Sequence, residues 1–486
     1  MPTTPHFIRR ISLLLLPFFL IAAGHAEESP PKDIFEAVAK GTVDDIRFFV
    51  EQGADINKKN DENETLLHHA AKYSIDLDVI KYLVGQGLDV NAQGRYNITP
   101  LWYAATYRHN FANLDVVKYL LEQGADIHIR TEVNSGATVL HRVADHRVYF
   151  DVLKCLVEHG GDVNVKDDRG ETPLHTAMRE DDFRSETEQD EDDDSPQTGR
   201  LLNDNFEIVK YLIEHGADVN AKSIYAQTPL HKAAIAEYNP RILEYLVKQG
   251  ADVDAKDYTG MAPLHQAARY NPNSKTLRYL VEQGADVHTK NNDGGTPLHS
   301  AVLTNRSIKV LEYLVGQGVD INAKNKNGDT PLHFAAVRNA DPNKLKYLIS
   351  QGANVNVSSR RGTPLECAST EEQKEILRQA GAFIRSSFKD VFDAAAKGTI
   401  DDLRFFAAQG TDFNAKNADG NTPLHLAAGH NSRVDMLEYL VSQGADIHAK
   451  NADGQTPLDF SMRENTNVDI LMYLIKQAAD DAEPEK

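Results

Sequence analysis

The sequence predicts an all-α repeat solenoid of about 12 helix–turn–helix units with β-hairpin fingers, arranged as two tandem arrays. Three observations predict it. A motif, TPLH or a near copy, returns with its leucine at 67, 101, 140, 174, 230, 264, 298, 332, 365, 424 and 458, most often at a step of 34. A second motif follows each one, as in YLVEQGADVHTKN and YLVSQGADIHAKN. The opening stretch from Lys32, KDIFEAVAKGTVDDIRFFVEQG, is also written again from Lys389, with 19 of 29 residues identical between 32–60 and 389–417.

Residues 1–26 stand apart from the repeats. Arg9 and Arg10 precede the apolar run ISLLLLPFFLIAA, and small residues follow in GHA. This is the layout of a cleavable signal peptide, with a mature start near Glu27 and a periplasmic or secreted product. The general secretory route is expected. Pro17 interrupts the run and it is short for a bilayer span, so stable membrane insertion after signal removal is not expected. No other segment is apolar enough to span.

Within one unit the elements follow from local chemistry. In the unit at 228, Thr before Pro starts the first helix, and the small pair Ala233–Ala234 lets a neighbouring helix approach. In RILEYLVKQG the apolar Ile242, Leu243, Leu246 and Val247 recur at helical spacing, and Gly250 closes the helix. ADVDAKDYTG then reads as an extended finger ending in a turn. One unit cannot bury its own apolar faces, so stacking is obligatory.

These motifs make the chain similar to ankyrin repeat proteins over essentially all of residues 32–478. The resemblance implies a non-catalytic module that binds proteins through a concave face made of finger tips and first-helix ends. It also implies that the motif histidines, His175, His231, His265, His299, His333 and His425 among them, are structural and hold each Thr-Pro turn to its neighbour. No HxxxH or CxxC spacing stands near them, so no metal is expected. Units here run one residue longer than the family's usual 33. The extra residue falls between the paired helices, as in RYNPNSKTL.

Outside the repeats little chain is left for an enzyme. From motif Leu to the Leu of YL takes 16 residues in most units but 38 between Leu174 and Leu212. The added stretch, near 180–202, includes SETEQDEDDDSPQTG and is too polar to build a core, so a disordered loop is expected. No nucleophile–base arrangement, phosphate loop or carboxylate pair is defensible in the remainder. The expectation is no enzyme, no cofactor and a monomer. The net charge of −20 excludes a generally basic nucleic-acid binder. Cys155 and Cys367 read as small buried hydrophobes; six repeats at ~10 Å each separate them, far beyond the ~7 Å reach of a disulfide.

A boundary is expected at 383–388. Before it, the unit at Thr363 takes 12 residues from Leu365 to Leu377 rather than 16, its second helix is polar, and no DVNAK finger follows Ala382. After it comes the second copy of the opening. The organisation is therefore a first array at 32–382, a connector at 383–388, a short array at 389–478 and a polar tail at 479–486. By the resemblance, partner contacts fall just before TPLH and just after the AA pair. Those positions offer Arg95, Tyr96, Trp102, Tyr103 and Tyr107 in the third unit, Ile224 and Tyr225 in the sixth, and Tyr258, Arg269 and Tyr270 in the seventh. Tyr, Trp and Arg dominate interface energetics. Trp102 replaces the motif His and could equally fill its own turn. Units eight and nine, with NNDGG and KNKNGD, read as merely soluble. Two other roles stay open at this stage: a secreted effector engaging host proteins, and a cation or small-ligand binder using the acidic insertion.

Overall fold

The computed structural model describes residues 30–74, 76–106, 114–133, 135–145, 149–178, 205–235, 240–337, 341–384 and 386–480. The signal segment 1–26, the acidic insertion 180–202 and Tyr107 lie outside them. The chain divides into two compact units, one ending at Asp168 and one beginning at Arg169.

Each repeat begins where the motif predicts. Thr228 takes an extended backbone and caps the helix Pro229–Ala233, and Pro229 occupies its first turn, where the missing N–H costs nothing. The second helix, Pro240–Lys248, buries Leu243 and Leu246. Gly250 then adopts φ +90, and the next N–H, of Ala251, returns to the Leu246 carbonyl at 3.0 Å. That left-handed cap is the conformation a side chain resists. Ala267, Ala268, Ala301, Ala427 and Ala428 are fully buried, so the small pair marks where first helices of successive repeats meet.

The fingers differ from the expected β-hairpins. Ser223 N–H donates to the Gln227 carbonyl at 3.0 Å and Asp257 N–H to that of Met261 at 3.0 Å, which closes each finger as a tight turn. Among the described residues only isolated bridges form, at Lys59–Thr65 and Ser359–Gly362, and no strand. Successive fingers are instead joined one bond at a time: Tyr258 N–H to Tyr225 O at 2.8 Å, Asn292 N–H to Thr259 O at 2.9 Å, Lys326 N–H to Asp293 O at 2.8 Å. One bond per finger is too few for a ladder.

Three side-chain devices carry the stacking. The first is the motif histidine. In the first unit His68 Nδ1 receives the N–H of Thr65 at 3.1 Å, and Nε2 reaches the Ile98 carbonyl of the next repeat at 3.0 Å. In the second unit His265 does the same between Ala262 N–H (3.1 Å) and Gly295 O (3.1 Å). An N–H donor on Nδ1 and a carbonyl acceptor on Nε2 assign the neutral ring with its proton on Nε2. The second device is the finger asparagine. Asn220 donates to Gly250 O at 2.9 Å and accepts from Asp252 N–H at 2.8 Å. Asn91 and Asn414 do likewise. The third is an asparagine in the inter-helix turn: Asn305 Nδ2 donates to Ala268 O at 2.9 Å and Asn271 O at 2.8 Å. This asparagine sits in the lengthened turn, so the longer unit buries an amide that satisfies carbonyls of the preceding repeat.

Both cysteines are free. Cys155 is buried as expected, but Cys367 is only half-buried. It sits one residue past the motif on the short helix Pro364–Cys367, its thiol toward the Arg361 carbonyl at the finger base, rather than in the core.

Burial holds His68, His231, His299, His333 and His425 below the usual imidazole range and pushes His265 down to about 4. The folded state keeps these rings neutral, while the unfolded chain protonates them near 6.5. Their contribution is therefore complete above about pH 6.5 and is lost as pH falls toward 4. For His265 the loss amounts to about 3 kcal/mol. His265→Gln keeps an acceptor and a donor without a titrating proton. Denaturant unfolding between pH 7 and pH 4 is expected to show a shallower loss of stability in that variant than in the parent.

Candidate protein-binding surface

In the compact unit ending at Asp168, Gly94 leads into a single 3₁₀ turn, Arg95–Asn97, in which Tyr96 and Asn97 both hold positive φ, 61° and 57°. Left-handed backbone is inexpensive for Asn but costs a tyrosine on the order of 1–2 kcal/mol. The turn is pinned by Arg95 N–H to Glu62 O at 2.8 Å and by Glu132 N–H to Tyr96 O at 2.9 Å. Tyr96 is exposed, and the Arg95 guanidinium lies 4.7 Å from its ring centroid. The pair forms a rigid, amphipathic tip.

Trp102 and Tyr103 behave otherwise. Trp102 is buried, 7% exposed, at the position where most units place histidine, which favours the turn-filling role over partner contact. Tyr103 is half-buried, its hydroxyl donated to the buried Glu64. Burial and that carboxylate together push the phenol well above its usual range. The Lys72 ammonium lies 4.7 Å from the Tyr103 centroid and 5.2 Å from that of Tyr73.

In the second unit, Ile224 and Tyr225 stand exposed on one finger tip, and Tyr258 on the next is 77% exposed. The bond from Tyr258 N–H to Tyr225 O places these tips side by side. At the first-helix ends Tyr270 is exposed, and Arg269, half-buried, stacks on it at 5.1 Å. Arg269 Nε is buried without a hydrogen-bond partner. The structure thus brings together Ile224, Tyr225 and Tyr258 at the tips, and Arg269 with Tyr270 at a helix end.

Other residues on these surfaces escaped the sequence reading. Ile235 and Leu303 are exposed, and both fall five residues after the motif leucine, the register of Arg269. Counting that register would have found Leu303 in a unit set aside as merely soluble. Also missed were acids at the finger base paired with the following repeat: Glu64 with Tyr103, Glu171 with Lys232 at 2.5 Å, and the buried Asp329 with Arg361 at 3.7 Å. Their signal is an acidic residue immediately before the motif threonine. Among the described residues no group of three or more His, Cys, Asp or Glu side chains is placed to hold a metal ion, and no helix is long and apolar enough to cross a membrane.

Ala226, half-buried on the tip between Tyr225 and Gln227, is another non-glycine residue with positive φ. It adopts φ 55 two residues before the motif threonine, where most units carry glycine, such as Gly260, Gly294 and Gly420. Ala226→Gly removes the left-handed penalty and is expected to raise stability by about 1 kcal/mol in equilibrium unfolding.

The family model of ankyrin repeats (three copies) matches residues 34–131, 110–187, 183–257, 199–291, 256–325, 298–380 and 391–484. Among solved structures, the ankyrin repeat domain of Bcl-3, described as a unique member of the IkappaB protein family, is 24% identical; the match covers 50% of this chain and 100% of that one, with a TM-score of 0.36. No curated protein matches the chain. Ankyrin repeats suggest a protein–protein interaction scaffold. Since the family matches run over nearly all of residues 34–484, the chain belongs to the ankyrin repeat family.

Proposed function

We propose that this protein is a non-catalytic, exported scaffold that captures a protein partner through its exposed aromatic tips. The observation that carries the reading is the pair of adjacent tips bearing Ile224, Tyr225 and Tyr258, large side chains left in water and held by a backbone bond between fingers. Rigid aromatics lose little entropy on binding, which makes them effective anchors. Tyr96 with Arg95, and Tyr270 with Arg269, offer the same chemistry within their own units. Substituting Tyr225 and Tyr258 together by Ala is expected to abolish capture of partner proteins from the native compartment while leaving thermal unfolding unchanged. A collapse in stability instead assigns the tyrosines to packing.

Export rests on the charged, apolar and small-residue order of residues 1–26. Sequencing the N-terminus of protein recovered outside the cytoplasm is expected to begin near Glu27.

The two-array organisation is part of the same proposal. Residues 382–384 and 386–387 run without a turn, and family matches stop at 380 and resume at 391. The array ends also carry a chemical mark. At Thr363 and Thr456 the motif histidine is replaced by Glu366 and Asp459, which accept the threonine N–H at 2.5 and 2.9 Å. A carboxylate accepts but cannot donate, so neither residue can send the Nε2–H bond on to a following repeat. The residues after the connector build their own core, from Val391 and Leu403 through Leu424 and Leu437 to Leu474.

A further inference from the structure

The opening unit occurs twice, and the two copies differ in what covers them. In the second copy the Phe405 ring lies 5.7 Å from that of Phe383, and Asp401, its side chain 16% exposed, faces Arg378 at 3.6 Å. At the same positions of the first copy Phe48 is 55% exposed and the Asp44 side chain 89% exposed. A surface that the end of an array covers at the connector is thus open at the first start unit, among the described residues.

The last helix, Val468–Asp480, has a complementary peculiarity. Val468, Met472 and Ile475 are exposed and share one face at helical spacing. The position of Met472 is charged in the other array helices, as Lys81, Lys118, Arg278, Glu312 and Glu438. Here it is a methionine, 61% exposed.

The register of the stack relates the two surfaces. A cation at the Met472 position reaches forward over an aromatic ring of the next repeat: Arg47 over Tyr82 at 5.4 Å, Arg278 over Tyr313 at 5.3 Å, Arg404 over Tyr439 at 6.0 Å. Counted along its helix, Phe48 occupies that ring position in the start unit. One further step of the same register sets the Met472 thioether on a phenylalanine ring. Sulfur–aromatic contact then replaces the cation–aromatic contact used elsewhere. Asp44, which lacks the partner that Arg378 gives Asp401, already pairs with Arg47 at 3.2 Å.

We propose that a second copy of this chain covers these faces: the Met472 face of one molecule docks head to tail on the Phe48 face of the next. Within one molecule, Phe383 and Arg378 cover Phe405 and Asp401 of the second start unit; the intermolecular contact covers the equivalent Phe48 with Met472 instead. It rests on the two-array reading above and is independent of the aromatic tips. Because the two faces differ, the interface is heterologous, and copies add until a ring closes or an open chain grows. It differs from the monomer expected from sequence.

Sedimentation velocity of the full chain over a concentration series tests it. The average mass is expected to rise beyond that of a dimer. Phe48→Asp and Met472→Asp should each return the chain to monomer with an unchanged thermal transition, since both side chains are exposed. An equimolar mixture of the two variants should form a pair and nothing larger, because each keeps one intact face. A parent chain that stays monomeric overturns the proposal, as do single variants that leave the masses unchanged or a mixture that fails to pair. Proteolysis at 383–388, expected to release a folded short array, reads the two-array organisation separately, whatever the masses show.

Discussion

A proton on Nε2 of the motif histidine is the constraint on which the stack depends. The ring joins two backbones: the first turn of its own helix, through Nδ1, and the finger base of the next repeat, through Nε2. Protonation of Nδ1 removes the first of these bonds, because it sets an N–H against the threonine-position N–H, while Nε2 still donates to the next repeat. Burial enforces the neutral form, and the neutral form fixes the direction of the relay from one repeat to the next. The link across the acidic insertion keeps this geometry: His175 still reaches the Gln227 carbonyl at 3.0 Å, though the two lie 52 positions apart in sequence instead of 30. Stack register is therefore set by side-chain bonds and is indifferent to what loops out between helices.

The asparagines complete the same logic. Without strands, each finger carbonyl and each turn carbonyl needs an acceptor's partner from somewhere. Asn220 and its equivalents serve the helix-closing glycine of the next repeat, and Asn305 and its equivalents serve the turn of the preceding one. Asn356 does this even at the connector, donating to Gly381 O at 3.1 Å and accepting from Phe383 N–H at 3.0 Å. The buried turn amides, Asn271, Asn305 and Asn431, are costly if left unpaired, so each repeat specifies its neighbour's position as well as its own. Free cysteines and a net charge of −20 are no obstacle to such a fold, because its stability is local.

The candidate surface was less legible than the scaffold. Tip residues were found because the motif supplies a ruler, and Tyr96, Ile224, Tyr225, Tyr258 and Tyr270 are indeed exposed. The ruler does not report burial. Trp102 and Tyr103 sit at adjacent positions of one helix, yet one plugs a turn and the other spans to the Glu64 carboxylate of the preceding unit. Leu303 was passed over because its finger is polar, while its helix end is not.

Sequence by itself determined the repeat, its helix starts and stops, the structural role of the histidines and the absence of a disulfide. All of these are set within one repeat period, by capping, helical spacing and the unavoidable need to stack. Tertiary structure decided what depends on the neighbouring repeat: that the fingers among the described residues form no strands, that Cys367 lies outside the core, and which aromatics reach solvent. It decided also that Phe48 is exposed while Phe405, in a near-identical sequence, is half-buried. The physical reason is the same in each case. Burial and hydrogen-bond partners belong to the interface between repeats, and a residue's own repeat carries no record of what is stacked against it.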